Sequence, residues 1–238
     1  MRRAPSVRTH TFSYDPAKHD KPAPLADPTA ARHATTEELK EVVGNWYLAE
    51  DHRDDGRVRD AYREIVEVNS GRFHAMREAI DVVFTPDDPY DSYEAMERDV
   101  RENDRLKVFS GGSVPEHMTR VENTIGRAVH DFYGHIALDR GFDLYGETAK
   151  WEHVRDNYGD TAQRLLFTEV VGQLCAAHVL GGFDSPDFQQ KAIVAPDYVI
   201  EAVREHCRAN DPERFGADDP SGSDVRDESE TFNDEANQ

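Results

Sequence analysis

Two histidines and an aspartate fall within six residues in the stretch Arg127-Ala128-Val129-His130-Asp131-Phe132-Tyr133-Gly134-His135. Further on, Leu165-Leu166-Phe167-Thr168-Glu169-Val170-Val171-Gly172-Gln173 sets a carboxylate inside an apolar run. Imidazole nitrogens and carboxylate oxygens are the usual donors to iron, zinc and manganese, so these residue types point to metal chemistry. His130 and His135 stand five residues apart, which on a regular α-helix separates them by about 140°. They converge only where the helix ends or distorts, and Gly134 marks a place for that. Asp131 and His135, four apart, share one face without distortion. Asp131 is therefore either a donor itself or a carboxylate that orients a histidine.

Glu169 is the expected third donor, giving the set His130, His135 and Glu169. Leu165, Leu166, Glu169, Gln173, Ala176 and Leu180 form one helical stripe. A bare carboxylate there is costly unless it is paired or metal-bound. The alternative is an ion pair with Arg127. Gln173, one turn on, is placed to hydrogen-bond at the same site. Glu147 shares a face with Trp151 and Val154 and is either a further site residue or a helix-start carboxylate favoured by the dipole. Asp131, Glu147 and Gln173 are thus the candidate catalytic groups around the metal. His153 points off that face, and His178 reads as a satisfied core histidine. His10, His19, His33 and His52 read as solvated. His74, His117 and His206 have no partner at ligand spacing.

Two resemblances lie on these motifs. His130-Asp131-Phe132-Tyr133-Gly134-His135, then Gly146-Glu147, His153 and Thr168-Glu169 to Gly172-Gln173, resemble an uncharacterised family of bacterial and phage-type proteins; the likeness also takes in Phe84-Thr85-Pro86 and Arg105 to Phe109. That family implies no reaction. The segment His130 to His135 is also similar to the HExxGH segment of the pterin-dependent aromatic amino acid hydroxylases, and Phe167-Thr168-Glu169 with Gly172-Gln173-Leu174-Cys175 resembles their FTVE-FGLC segment. This resemblance implies non-haem Fe(II) on His130, His135 and Glu169. Asp131 replaces that motif's glutamate, and Glu169 falls one position early.

Placing these residues requires helices. Thr35 and Glu38 have capping-box spacing, and Leu39, Val42, Val43, Trp46 and Tyr47 follow the helical period. A second helix is expected from Arg57 to about Val83, with a break at Asn69-Ser70-Gly71. Asp91 and Glu94 open a third. Leu106 to Phe109 reads as the only strand. Pro115 to Leu138 carries the histidines, and further helices follow from Gly146, over 161–180 and over 196–210. The fold class is mainly α: one helical metal-site domain over 34–210 with at most a short strand pair. Residues 1–33 read as a flexible arm. Residues 211–238, with ten acids and two bases, read as a disordered acidic tail.

Of 238 residues, 48 are acidic and 28 basic, for a net charge of −20, and only six of the bases are lysines. Such a surface suits a high-salt environment, where its self-repulsion is screened. It repels a phosphate backbone, so nucleic-acid binding is not expected. No apolar run is long enough to span a membrane, and no apolar segment follows Met1-Arg2-Arg3, so a cytoplasmic location is expected. Cys175 and Cys207 cannot make a disulfide framework, and Cys175 reads as a small buried residue. There is no GxSxG, P-loop, GxGxxG or HExxH motif. The leading expectation is a mononuclear 2-His-1-carboxylate enzyme holding a divalent metal, Fe(II) first and zinc or manganese as alternatives, acting on a small molecule. An HD-type metal-dependent phosphohydrolase is a second reading, since His130-Asp131 is similar to that family's adjacent pair. A third is a non-enzymatic accessory or virus-associated module with a structural polar core.

Overall fold

The computed structural model describes residues 22–215. Local capping chemistry sets most of the helix starts. Two short helices, α1 (Ala23–Ala26) and α2 (Pro28–His33), precede α3 (Thr36–Ala49), which opens on the Thr35–Glu38 capping box. Helix α4 (Gly56–Ala79) is capped by Asp55, and strand β1 (Asp81–Thr85) follows it. Helix α5 (Tyr93–Asn103) then leads to strand β2 (Arg105–Phe109). Helix α6 (Arg120–Val129) starts at a second capping box, Thr119 with Glu122, and runs into a π-helical segment, His130–Ile136. Helix α7 (Leu144–Val154) is capped by Asp143. Helix α8 (Asp160–Phe167), a second π segment (Thr168–Gly172) and α9 (Gln173–Leu180) form one continuous rod. Helices α10 (Asp197–Asn210) and α11 (Pro212–Phe215) close the described chain.

The architecture is mainly α, with a two-stranded parallel sheet, Asp81 opposite Arg105 and Thr85 opposite Phe109. Three apolar clusters hold it. The largest joins Trp46 and Tyr47 of α3, Trp151 of α7, Phe167, Cys175 of α9 and Val203 of α10. Helices α3 and α9 cross closely because Gly44 lies against the backbone of Cys175, where a Cβ would collide with the carbonyl oxygen. A second cluster packs Tyr62 and Ile65 of α4 on Ala162 and Leu165 of α8. The third packs Met76, Met96 and Ala128 around Leu106 and Val108. Both cysteines are buried free thiols. No described helix is long and apolar enough to cross a membrane.

Four expectations change. Residues 23–26 and 28–33 form two short helices rather than part of a flexible arm, with Leu25 and Ala31 buried and Arg32 bonded to Glu205 of α10. Residues 1–21 and 216–238 lie outside the described residues. Helix α4 runs unbroken through Asn69-Ser70-Gly71, because Asn69 is buried and accepts a hydrogen bond from Tyr158 Oη. The helix stops at Ala79, and residues 81–85 pair as a strand with β2. Ser92, not Asp91, caps α5.

Candidate metal centre

The π segment resolves the spacing problem at the two histidines. Its i→i+5 hydrogen bonds stack residues five apart: Ala137 N–H donates to Phe132 O at 2.8 Å and Arg140 N–H to His135 O at 3.0 Å. His130 and His135 thereby face each other with their Nε2 atoms 2.8 Å apart. Gly134 lies within this segment without a left-handed backbone. It is needed because Lys150 crosses it, and a Cβ there would run into the lysine stem.

The carboxylate that meets the pair is Glu147, from the first turn of α7. Its Oε1 stands 3.5 Å from His130 Nε2 and 3.4 Å from His135 Nε2. These three side chains form a group able to hold a metal ion. Donors about 2 Å from one ion and at right angles to each other lie about 3 Å apart, so the triangle has a suitable size. His135 is fully buried, and its Nδ1–H donates to Arg140 O at 2.9 Å, which leaves the Nε2 lone pair facing the triangle. Glu147 Oε2 is buried without a hydrogen-bond partner. An orphaned carboxylate oxygen beside an unspent imidazole lone pair fits a cation better than it fits a satisfied polar core.

The electrostatics follow from burial and proximity. Burial pushes the Glu147 carboxyl up, but the adjacent His130 and His135 rings hold it well below the usual carboxylate range. Burial, with Lys150 alongside, brings His130 down to about 4. Burial opposes charge on His135 as well, yet its contact with Glu147 raises it. Lys150, buried on α7, is lowered by burial to about 8, and its Nζ is hydrogen-bonded to His130 Nδ1; a neutral Lys150 accepts the Nδ1 proton there, which leaves the His130 Nε2 lone pair for a metal. Lys150 was not expected from the sequence; its signal was the i, i+3 placement beside Glu147 on a helix whose neighbours are apolar.

Glu169, the expected third donor, is not in this group. Its Oε1 accepts from Tyr62 Oη at 2.6 Å and its Oε2 from Gln173 Nε2 at 2.6 Å. Both oxygens are therefore engaged, and burial raises its pKa to about 7. Gln173 serves Glu169 and not the histidines. The alternative Arg127 pair is absent too, since Arg127 Nη1 donates to the carbonyls of Phe109 and Gly111. Asp131 lies outside the donor group; burial raises it to about 7 against the pull of His135, Lys150 and Arg127. His153 is exposed and outside the donor group, and His178 is exposed and paired with Glu37 instead of sitting in the core. His206 is the satisfied core histidine, bonded to Ala31 O, Thr36 and Tyr145.

The cavity of about 870 Å³ beside the donors is lined by His130, Glu147 and Glu169, and also takes in Arg72, Tyr133, Phe142 and Phe183. A smaller cavity of about 560 Å³ beside α1 and α10 is edged by Arg164 and Arg204, already paired with Asp197 and Glu152. A second group, His52, Glu116 and His117, also gathers potential donors, so His117 does have partners at ligand spacing, and His52 is exposed as expected. There His52 Nδ1 accepts from Ala192 N–H at 3.0 Å, so Nε2 carries the proton and donates to Glu116 at 2.8 Å. That tautomer has no lone pair left for a metal. Comparison with family models, curated proteins and solved structures returns no match to this chain.

Proposed function

We propose that the protein is a metal-dependent enzyme with a mononuclear centre on His130, His135 and Glu147. The carrying observation is the convergence of these donors around an orphaned carboxylate oxygen. Two imidazoles and one carboxylate on one face leave positions open, the pattern that suits Fe(II) and oxygenase or hydroxylase chemistry on a small molecule. Bound Fe(II) would supply O₂ activation. The chain's own residues hold Glu147 ionised, fix the His135 tautomer through Arg140 O, and place Glu169 as a proton-carrying group across the cavity. The hydroxylase resemblance supports the histidine pair; the carboxylate differs, Glu147 in place of Glu169. We propose that it works in a salt-rich environment, from its acidic composition.

A non-enzymatic reading has one observation in its favour. With a charged Lys150 donating to His130 Nδ1, His130 Nε2–H would donate to His135 Nε2 and His135 Nδ1–H to Arg140 O. That chain closes without an ion, but it leaves Glu147 Oε2 unserved. The phosphohydrolase reading is weaker, because Asp131 stands outside the donor group.

Metal analysis of the purified protein, followed by anaerobic Fe(II) titration, separates the readings. About one iron per chain is expected, lost in His135→Ala and Glu147→Gln and kept in Glu169→Gln. Zinc or manganese alone, with no Fe(II) uptake, would favour the hydrolase. No metal in any preparation would leave the structural polar core.

A further inference from the structure

Two guanidiniums that line the cavity beside the three donors, those of Arg72 and Arg127, make no ion pair among the described residues. Arg127 is spent on two carbonyls and Lys150 on His130. Arg72, from the middle of α4, makes no ion pair among the described residues. Its guanidinium lies 5.7 Å over the Tyr133 ring, and Tyr133 Oη donates to the Arg72 carbonyl at 3.3 Å. Tyr133 thus grips Arg72 at both ends, and Tyr133 itself belongs to the π segment that aligns His130 and His135. The same distortion positions the donors and the cation.

Of the lining carboxylates, Asp87, Asp88 and Asp184 are exposed and screened by water, Glu147 faces the two histidines, and Glu169 is held by Tyr62 and Gln173. Two of the exposed large hydrophobics, Phe142 at 41% and Phe183 at 55%, also line this cavity. Phe142 stands edge-on to His135, with ring centroids 4.6 Å apart. A cavity with the Arg72 guanidinium free of a carboxylate, aromatic rings in its wall and a metal-binding group matches a small molecule with an acid at one end and an apolar body.

We infer that the cavity binds a small organic acid, its carboxylate taken by the Arg72 guanidinium and its apolar body set between Tyr133 and Phe142. The planar fork of arginine binds a carboxylate through two parallel hydrogen bonds. The inference rests on the metal-centre reading for where reaction occurs, but the acid site itself needs no metal.

Calorimetric titration with benzoate, hexanoate and the uncharged control benzamide tests this, on chelator-stripped protein and again after Fe(II) loading. At least one acid should bind about tenfold or more tighter than benzamide. Arg72→Met should remove that advantage without changing the metal content, and Arg72→Lys, which keeps the charge but loses the fork, should retain part of it. Equal binding of benzoate and benzamide, unchanged affinity in both variants, or no binding of either acid would overturn the inference. Acid binding on stripped protein that never takes up metal would sink the metal-centre reading and leave this one standing.

Discussion

Gly134 is the residue on which the donor geometry turns. An alanine inside a helix normally gains about 1 kcal/mol over glycine. At Gly134 that gain meets the Lys150 stem, whose Cε and Cδ would lie 3.1 and 3.2 Å from the new methyl with Cγ closer still. Overpacking of this kind costs about 1–3 kcal/mol, so Gly134→Ala should lower stability in urea denaturation and weaken metal uptake. Gly71 of α4 is the control: a methyl added there would meet nothing within 4 Å, and Gly71→Ala should stabilise by about 0.5–1 kcal/mol. A stabilised Gly134→Ala would show that Lys150 moves aside freely and that the glycine is incidental. At this scale the histidine pair was legible from residue types and spacing alone. The carboxylate was not. Glu147 and Glu169 both sit on partly apolar helices, and only tertiary packing decides that Tyr62 and Gln173 occupy Glu169 while Glu147 reaches the histidines.

Helix α5 and strand β2 are joined by Asp99, which is nearly buried. It accepts from Arg105 Nη2 at 2.7 Å, Asn103 Nδ2 at 2.8 Å and Tyr90 Oη at 3.0 Å. Arg105 beside it holds the Asp99 carboxyl well below the usual carboxylate range, against the opposing effect of burial. Its folded pKa is thus depressed relative to the unfolded chain. The stability it contributes is complete above the unfolded value, about 4, and is lost as pH falls from there toward the folded value. Denaturation midpoints of the wild type and Asp99→Asn should differ most near neutral pH and draw together in acid; a constant difference would assign the loss to packing instead of charge. Capping boxes and apolar periods made α3 and the start of α6 legible in the sequence. The π segments were not, since nothing in a 3.6-residue period marks where a helix takes one extra residue; the need for distortion at His130–His135 was the only trace. Strand β1 was hidden because Val82-Val83-Phe84 is too short a run to tell strand from helix end, and its pairing with β2 settles the matter.

The whole molecule carries a net charge of −20, with the acids spread over the helical surface and many ion pairs on its exposed faces, such as Arg59–Asp54 and Arg63–Asp60. Two salt effects oppose each other. Screening weakens these exposed pairs, each worth about 0–1 kcal/mol. It also weakens the repulsion among the surplus acids, which disfavours the compact state. Since acids outnumber bases by 48 to 28, the repulsion should win. The Debye length falls from about 10 Å near 0.1 M to about 3 Å near 1 M salt, which reaches most neighbouring surface carboxylates and leaves the buried Glu147–histidine group largely unscreened. The melting temperature should therefore rise as KCl goes from about 0.1 M to about 1 M, while Fe(II) affinity changes far less, with both measured on one preparation by scanning calorimetry and titration. A melting temperature that falls with KCl would mean that the ion pairs outweigh the surplus charge, and the acidic surface would then not be an adaptation to salt. Loss of Fe(II) affinity in step with any salt effect on stability would place the donor group in contact with solvent, contrary to the burial of His135.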